Sequence, residues 1–354
     1  MHNSVTTRFL GPDEYPRWAE LVASSPDGSA YSLPEYVDAL CTATHAEFRV
    51  LVGEHDGRIV GGITLYERRS RAGVFIAQRP LLYYNGIVLM PHDARHPSQR
   101  DEWCLHVMSA LERALSQLPH ARVKFKSRAT LHDLRAFEPP AWSIIPTWTY
   151  QVDISDLAQA WDRIDKDQRR LIRRCSELGA RLTEDDDFDS FYRLYAATHE
   201  RKGAPLCLPR ESFRRFVETL RKRGLGRIYH ARMPDGSVLA SQLVLTGPHP
   251  VTHVVCAGSD AATQKLGASP FLRWKVFEDL HAAGYRGNDL TDAAVNPVTR
   301  FKSQLGGELR LCLQVQRRDH WSMRVQEFVK TLRWRVAAHL VSGNGRGGGN
   351  QVTH

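Results

Sequence analysis

Two stretches of this sequence share one plan, and that repetition narrows the folds open to the chain more than any other feature. EFRVLVGEHDGRIVGGITLY (47–66) reads as two alternating strands around Asp56-Gly57, and GRIYHARMPDGSVLASQLVLT (226–246) does the same around Asp235-Gly236. An Asp-Gly pair between alternating apolar residues is a strong hairpin signal, because the turn asks for left-handed backbone. Each second strand places small residues soon after its turn, Gly61 and Gly62 in one and Ala240 and Ser241 in the other. Downstream, the first half offers a strand over 85–89, an amphipathic helix over 100–117 (Trp103, Val107, Leu111, Leu115) and a strand over 121–125. The second half offers a strand over 252–258, a helix over 269–283 (Leu272, Val276, Leu280) and a strand over 285–290. Hairpin, strand, helix and strand, twice, predict an internal duplication of α/β units, each a mixed sheet flanked by helices. A length of 354 residues suits two such domains. The join near 147–156 divides them into 1–150 and 151–318.

Composition excludes several classes. The net charge of +9 is concentrated in the tail, where residues 309–354 hold eight Lys+Arg against two Asp+Glu. Within that tail, 319–342 reads as a basic amphipathic helix (Trp321, Val325, Phe328, Leu332, Val336 on one side), followed by a disordered stretch over 343–354. The helix has two uses, docking on the second unit or touching an anionic membrane surface. The six cysteines are each more than thirty residues apart, without a CxxC or a Cys/His cluster, so no metal site is expected. No apolar leader and no run of membrane-span length occurs, which predicts a reduced, cytoplasmic chain, peripheral to the membrane's inner face at most. GxSxG, GxxxxGK[ST] and HExxH are all missing, so the sequence carries no recognisable nucleophile, P-loop or zincin motif.

Three constellations remain. Arg169, Arg170, Arg173 and Arg174 form two i,i+4 pairs on one helix, a repulsion that a bound phosphate would offset. Gln264, Lys265, Gly267 and Ala268 follow a strand and open a helix, the setting in which backbone N–H groups hold a pyrophosphate. The third is 284–311. There Asn296 as N-cap and Pro297 at the first position start a helix of about two turns, which Gly306 and Gly307 end. Val298, Phe301 and Leu305 share one face of it, and Lys302 borders that face, an ammonium held at an apolar edge after Asp289 and Asp292. A snorkelling surface lysine is the plain alternative.

On TYQVDIS (149–155), DQRRLIRRCSELGARL (167–182) and DLTDAAVNPVTRFKSQLGGEL (289–309), the chain resembles the FemAB family of aminoacyltransferases and the related BioF2-like GNAT acyltransferase domains. The likeness spans roughly residues 5–315. It implies two tandem GNAT-like domains that pass an amino acid from an aminoacyl-tRNA to an amine of a peptidoglycan precursor. It matches Phe301 and Lys302 to the family's Phe-Lys pair, with Lys302 beside the transferring ester, and Arg169 to Arg174 to its basic segment. Asp289, Asp292, Tyr84 and Gly306 complete the expected substrate contacts. No tightly bound cofactor is implied. The donor is an aminoacyl-tRNA, or an acyl-CoA held at Gln264, Lys265, Gly267 and Ala268. Where many relatives have Asp-Phe-Gly-Gly, this chain has Asp289-Leu290-Thr291-Asp292. Amine attack on an ester develops an oxyanion, and a fixed cation there assigns Lys302 to electrostatic stabilisation. The competing reading is a non-catalytic module that binds RNA or an envelope precursor.

Overall fold

The structure, a computed structural model, describes residues 4–294 and 297–319. Asn296, and the tail from residue 320 on with the helix expected there, lie outside the described residues. The first half runs β1 (Thr6–Phe9), α1 (Tyr15–Ser24), α2 (Pro34–Thr44), β2 (Glu47–His55), β3 (Arg58–Ser70), β4 (Gly73–Ile76), β5 (Val88–Leu89), α3 (Pro97–Gln117), β6 (Arg122–Lys126) and β7 (Trp142–Asp153). Then follow α4 (Leu157–Arg163), α5 (Lys166–Glu177), β8 (Arg181–Glu184), α6 (Phe188–Arg201), α7 (Arg210–Lys222), β9 (Gly226–Arg232), β10 (Val238–Leu245), β11 (Val251–Ser259), α8 (Ala268–Ala282), β12 (Gly287–Asp289), α9 (Pro297–Gln304) and β13 (Glu308–Arg317).

Both expected hairpins form, β2 with β3 and β9 with β10. Asp56 and Gly57 take φ of 50° and 73° at the first turn, as an Asp-Gly turn requires. The first half has one departure. Only Val88–Leu89 of the strand expected over 85–89 forms, and the parallel partner of β6 is β4, at 73–76. The charged run ahead of it, ERRSRAG (67–73), hid that strand, because an alternating apolar pattern never develops there.

The described strands join into one 13-stranded mixed sheet, in the order β1-β2-β3-β4-β6-β13-β7-β12-β11-β10-β9-β8, with β5 against β3. Read from its two ends the order is the same motif twice, and the centre is an exchange. β13, the last strand of the second half, pairs with β6 of the first, while β7 pairs with β12 of the second. β7 and β13 pair antiparallel from Glu308↔Gln151 to Arg317↔Trp142. Each delivers side chains to the other half's core. Val315 packs with the cluster of Leu111, Val123 and Phe125, and Val152 with that of Val244, Leu272 and Phe277. Full burial of such a side chain stabilises by about 1.5–3 kcal/mol. A third cluster mixes the halves outright, with Tyr31, Tyr36 and Tyr84 against Phe213, Phe216 and Leu243. The boundary expected at 150/151 therefore falls inside β7, a strand that serves both halves.

One buried carboxylate pins this seam. Asp289, 2% exposed at the end of β12, accepts from the Tyr84 hydroxyl of the first half at 2.8 Å. Its other oxygen accepts from the Thr149 hydroxyl of β7 at 2.6 Å and from the Thr291 N–H at 2.7 Å. A buried carboxylate is tolerated when its lone pairs are filled in this way.

Two further features shape the second half. β11 and β12 run parallel only over Val251–His253 and Gly287–Asp289, then separate, leaving residues 254–259 unpaired on that side. Gly267, left-handed at φ 81°, caps the start of α8, and a Cβ placed there would lie 2.5 Å from the Leu171 carbonyl oxygen of α5.

Gly267→Ala should therefore cost roughly 1–3 kcal/mol from overpacking, on top of the backbone strain. Gly236→Ala, which meets nothing within 4 Å, should cost only about 1 kcal/mol from its positive φ. Urea unfolding of the two variants checks the contrast. Tyr84→Phe keeps the ring and removes one bond to a buried anion, so the same measurement should show a loss of about 1.5–3 kcal/mol.

Candidate active site

The turn after β12 places the chemistry. Thr291 and Asp292 occupy the positions where the resembled family has glycines, and both are left-handed, at φ 48° and 55°. Glycine would enter this region freely, whereas a β-branched residue is a genuine outlier there, at a cost of about 1–3 kcal/mol. The turn therefore keeps a glycine-like path while carrying side chains. Its surroundings hold it: the Thr291 N–H donates to Asp289, and the Thr291 hydroxyl donates to the Val254 carbonyl of β11 at 2.8 Å. The Lys302 ammonium, from α9, donates to the Asp292 carbonyl at 2.7 Å and to the Thr291 carbonyl.

Lys302 is thus no snorkelling surface lysine. Burial pulls its pKa down to about 8, Asp292 opposes this, and the nearby charge of Arg273 adds to the lowering. At neutral pH about nine-tenths of it stays charged.

Where β11 leaves β12, two clefts open against the exposed strand edge. The larger, about 800 Å³, is lined by the 78–83 stretch of the first half, by Val254 to Ala257, and by the turn residues Thr291 and Asp292. Lys302 lines it, with Arg79, Lys126, Lys202 and Arg273, and Asp292 is the single carboxylate among the described residues that line it. The smaller, about 490 Å³, lies between β10, β11, α5 and the start of α8, and Phe301 lines it. Consecutive residues of α9 thus line different clefts. Lys202, Ala257, Arg273 and Val298 border both, which marks where the two meet.

Of the expected site residues, Lys302, Phe301 and Asp292 come together here. Asp289 and Tyr84 do not reach a cleft. Both are 2% exposed and bonded to each other, so they support the turn from behind, and Tyr83 rather than Tyr84 faces the opening. Gly306, at φ 80°, ends α9 with its α-carbon facing Arg163, where a Cβ would lie 3.0 Å from the Arg163 Cβ. None of the four arginines of α5 lines either cleft. Arg170, Arg173 and Arg174 are exposed, Arg170 lies 3.5 Å from Asp167, and Arg173 sits 5.5 Å over the Trp161 ring. Arg169, half-buried, lies 3.5 Å from Asp162. At the expected pyrophosphate turn, Gln264–Leu266 form a short 3-10 turn, Lys265 is exposed and Ala268 is buried. The Gln264 side chain lies outside the described residues. Gly267 faces α5, and it is Ser269 and Pro270 that line the smaller cleft.

Several cleft residues carry no sequence signal. Arg273 is one charged residue in an otherwise ordinary helix, and Cys207 lies far in sequence from Cys256, beside it in the larger cleft. His199 also lines that cleft. Its Nδ1 lies 3.0 Å from the Tyr195 carbonyl, which fixes the proton on Nδ1 and leaves the Nε2 lone pair available. Asp185, Asp187 and His230 also bring ligand atoms within 4.8 Å of one another. Arg232 already donates to the two carboxylates, at 3.1 and 2.8 Å, so the charge that would draw a cation is partly offset from within.

Residues 163–303 match a family model described as an acetyltransferase (GNAT) domain. No curated protein matches the chain. Among solved structures it is similar to FemX, at 11% identity over 87% of this chain and 96% of that one, with a TM-score of 0.68. It is similar too to the C-terminal domain of a putative lysylphosphatidylglycerol synthetase from Agrobacterium fabrum, at 12% identity, 86% and 92% coverage and a TM-score of 0.52. A third likeness is to L-PGS from Bacillus licheniformis, at 11% identity, 90% and 95% coverage and a TM-score of 0.53. At such identities the likeness is one of fold. Among the described residues no helix is long and apolar enough to cross a membrane. The matched segment carries β10, β11, α8, the strained turn and the Phe301-Lys302 pair, and with it residues 163–303 form a GNAT-type acyltransferase domain.

Proposed function

We propose that the chain transfers an aminoacyl group from an aminoacyl-tRNA to an amine of an anionic cell-envelope precursor, the two substrates meeting where the clefts join. The observation that carries this reading is the larger cleft, in which, among the described residues, four cationic side chains join Lys302 against one carboxylate. Such a surface attracts a phosphate-bearing substrate and repels a cationic one. The name of one structural neighbour, the C-terminal domain of a putative lysylphosphatidylglycerol synthetase, agrees with it. The residue ranges 1–150 and 151–318, divided within the shared strand β7, then act as two units, with the acceptor lying against both.

The chemistry follows from the groups in place. The acceptor nitrogen attacks the ester carbonyl carbon, the C–N bond forms, and the carbonyl oxygen becomes an oxyanion that the Lys302 ammonium stabilises. Collapse breaks the C–O bond, and the donor hydroxyl leaves with a proton. The His199 Nε2 takes the proton that the amine loses. Asp289 and the turn fix where Lys302 points. The second reading, an acyl-CoA donor, is favoured by Ser269 and Pro270 lining the smaller cleft at the start of α8. Against it, the bare face of Gly267 is already covered by α5. Calorimetric titration with acetyl-CoA, charged tRNA and uncharged tRNA separates the two. Saturable acetyl-CoA binding without tRNA binding would replace the aminoacyl reading by the acyl-CoA one.

The kinetics with the true donor follow from these roles. Lys302→Met should lower kcat by about 10²–10³, the loss typical of one oxyanion donor. Because the reaction needs the charged form, activity should fall as pH rises through about 8, and Lys302→Arg should remove that limb from the pH–rate profile. Attack is direct, so Cys207→Ser should stay within about threefold of the parent, whereas His199→Ala should lose about 10²-fold or more. A covalent acyl-Cys207 species seen by mass spectrometry would overturn this assignment of roles.

A further inference from the structure

The smaller cleft contains two polar side chains that the bond-making steps above leave unused, and neither has a partner among the described residues. Arg273, on α8, makes no hydrogen bond or ion pair with any described residue, and its Nη1 is closed off from solvent. Gln242, on β10 and 0% exposed, leaves both its carboxamide oxygen and its nitrogen unbonded. Such groups normally find partners when buried, because an orphaned one costs about 1–3 kcal/mol and a charged one more. Both line the same cleft, with Arg201, Lys202 and Ser241, and no carboxylate is among the residues lining it.

We propose that Arg273 and Gln242 form a specificity subsite for a carboxylate on the acyl group being transferred, so that the donor carries an acidic acyl group such as an aspartyl, glutamyl or dicarboxylic acyl moiety. Location decides between this ligand and a donor phosphate. Arg273 borders both clefts, so it stands at the passage through which the transferred group crosses. A donor phosphate stays with the leaving group and has no reason to enter that passage. A planar guanidinium receives a carboxylate through two parallel bonds, and a carboxamide beside it has an N–H to add. The inference rests on the proposed meeting point at Phe301 and Lys302, but its test needs no turnover.

The full-length chain is titrated by calorimetry with glutarate, succinate, monomethyl glutarate and inorganic phosphate at constant ionic strength, and its unfolding temperature is measured without ligand. Saturable binding of a dicarboxylate, stronger than that of phosphate, is expected. Arg273→Gln should weaken it about tenfold or more, and Arg273→Lys less so. In the absence of ligand, Arg273→Gln should raise the unfolding temperature, because it removes a buried charge without a partner. A merely structural arginine would move it the other way. No saturable dicarboxylate binding, phosphate binding at least as tight and equally weakened by Arg273→Gln, or dicarboxylate binding unchanged in Arg273→Gln would each overturn the subsite. Should that variant fail to fold, it overturns the unpartnered-charge argument, and Arg273→Lys still reports on binding. Absence of the Lys302 pH limb from the parent enzyme's profile would instead refute the proposed chemistry and leave this binding result standing.

Discussion

A carboxylate with almost no access to water, Asp289, is the point on which both the joining of the halves and the shape of the site depend. It has three donors, one from the first half, one from the shared strand β7 and one from the turn that follows it. A buried anion is costly to leave unsatisfied, so the three donors are held together as a set. Tyr84 cannot leave without exposing the charge, and Thr291 cannot flip out of its left-handed conformation without losing its N–H bond. The strain of Thr291 and Asp292 is thus met by a network reaching across the molecule. Lys302 completes it by bonding the two carbonyls of that turn, which fixes an ammonium at the mouth of the larger cleft.

The exchange of terminal strands has the same logic on a larger scale. β7 and β13 pair with each other at the centre and each closes the sheet of the opposite half. The strands that separate at β11 and β12 can then open a wedge for substrates without opening the sheet, because β7 covers the far side of β12. Lys302 and Phe301, adjacent on a short helix, divide that wedge into two compartments. The electrostatics differ little between them, both being cationic, but one joins the first half and the other lies wholly in the second.

Much of this was legible in the sequence. The two Asp-Gly turns disclosed the duplication, since few residue pairs take a left-handed turn so readily, and Pro297 and Gly306 bracketed α9. Asp165, a residue type suited to a helix start, caps α5, its carboxylate accepting from the Asp167 N–H. What periodicity could not carry was partnership over long range. β4 was hidden by its charged neighbours, and the exchange of β7 and β13 leaves no local trace, because either pairing satisfies the same alternation. Tyr84 and Asp289, 205 positions apart, each looked like a substrate contact until their bond placed them behind the site. The replacement of the expected glycines by Thr291 and Asp292 pointed to a changed turn. Instead the backbone path was kept at the cost of strain. Arg273 and Gln242 had no signal at all, since an unpartnered side chain is a property of its surroundings.

This network holds Lys302 as a half-buried cation poised to lose its charge just above neutrality. Labelling the lysines with carbon-13 and following their side-chain resonances with pH measures that directly. One lysine signal, absent from Lys302→Arg, should titrate with a midpoint near 8, well below the range near 10.4 of ordinary lysines. If every lysine titrates together in the ordinary range, Lys302 is solvated, and the site described around it does not exist.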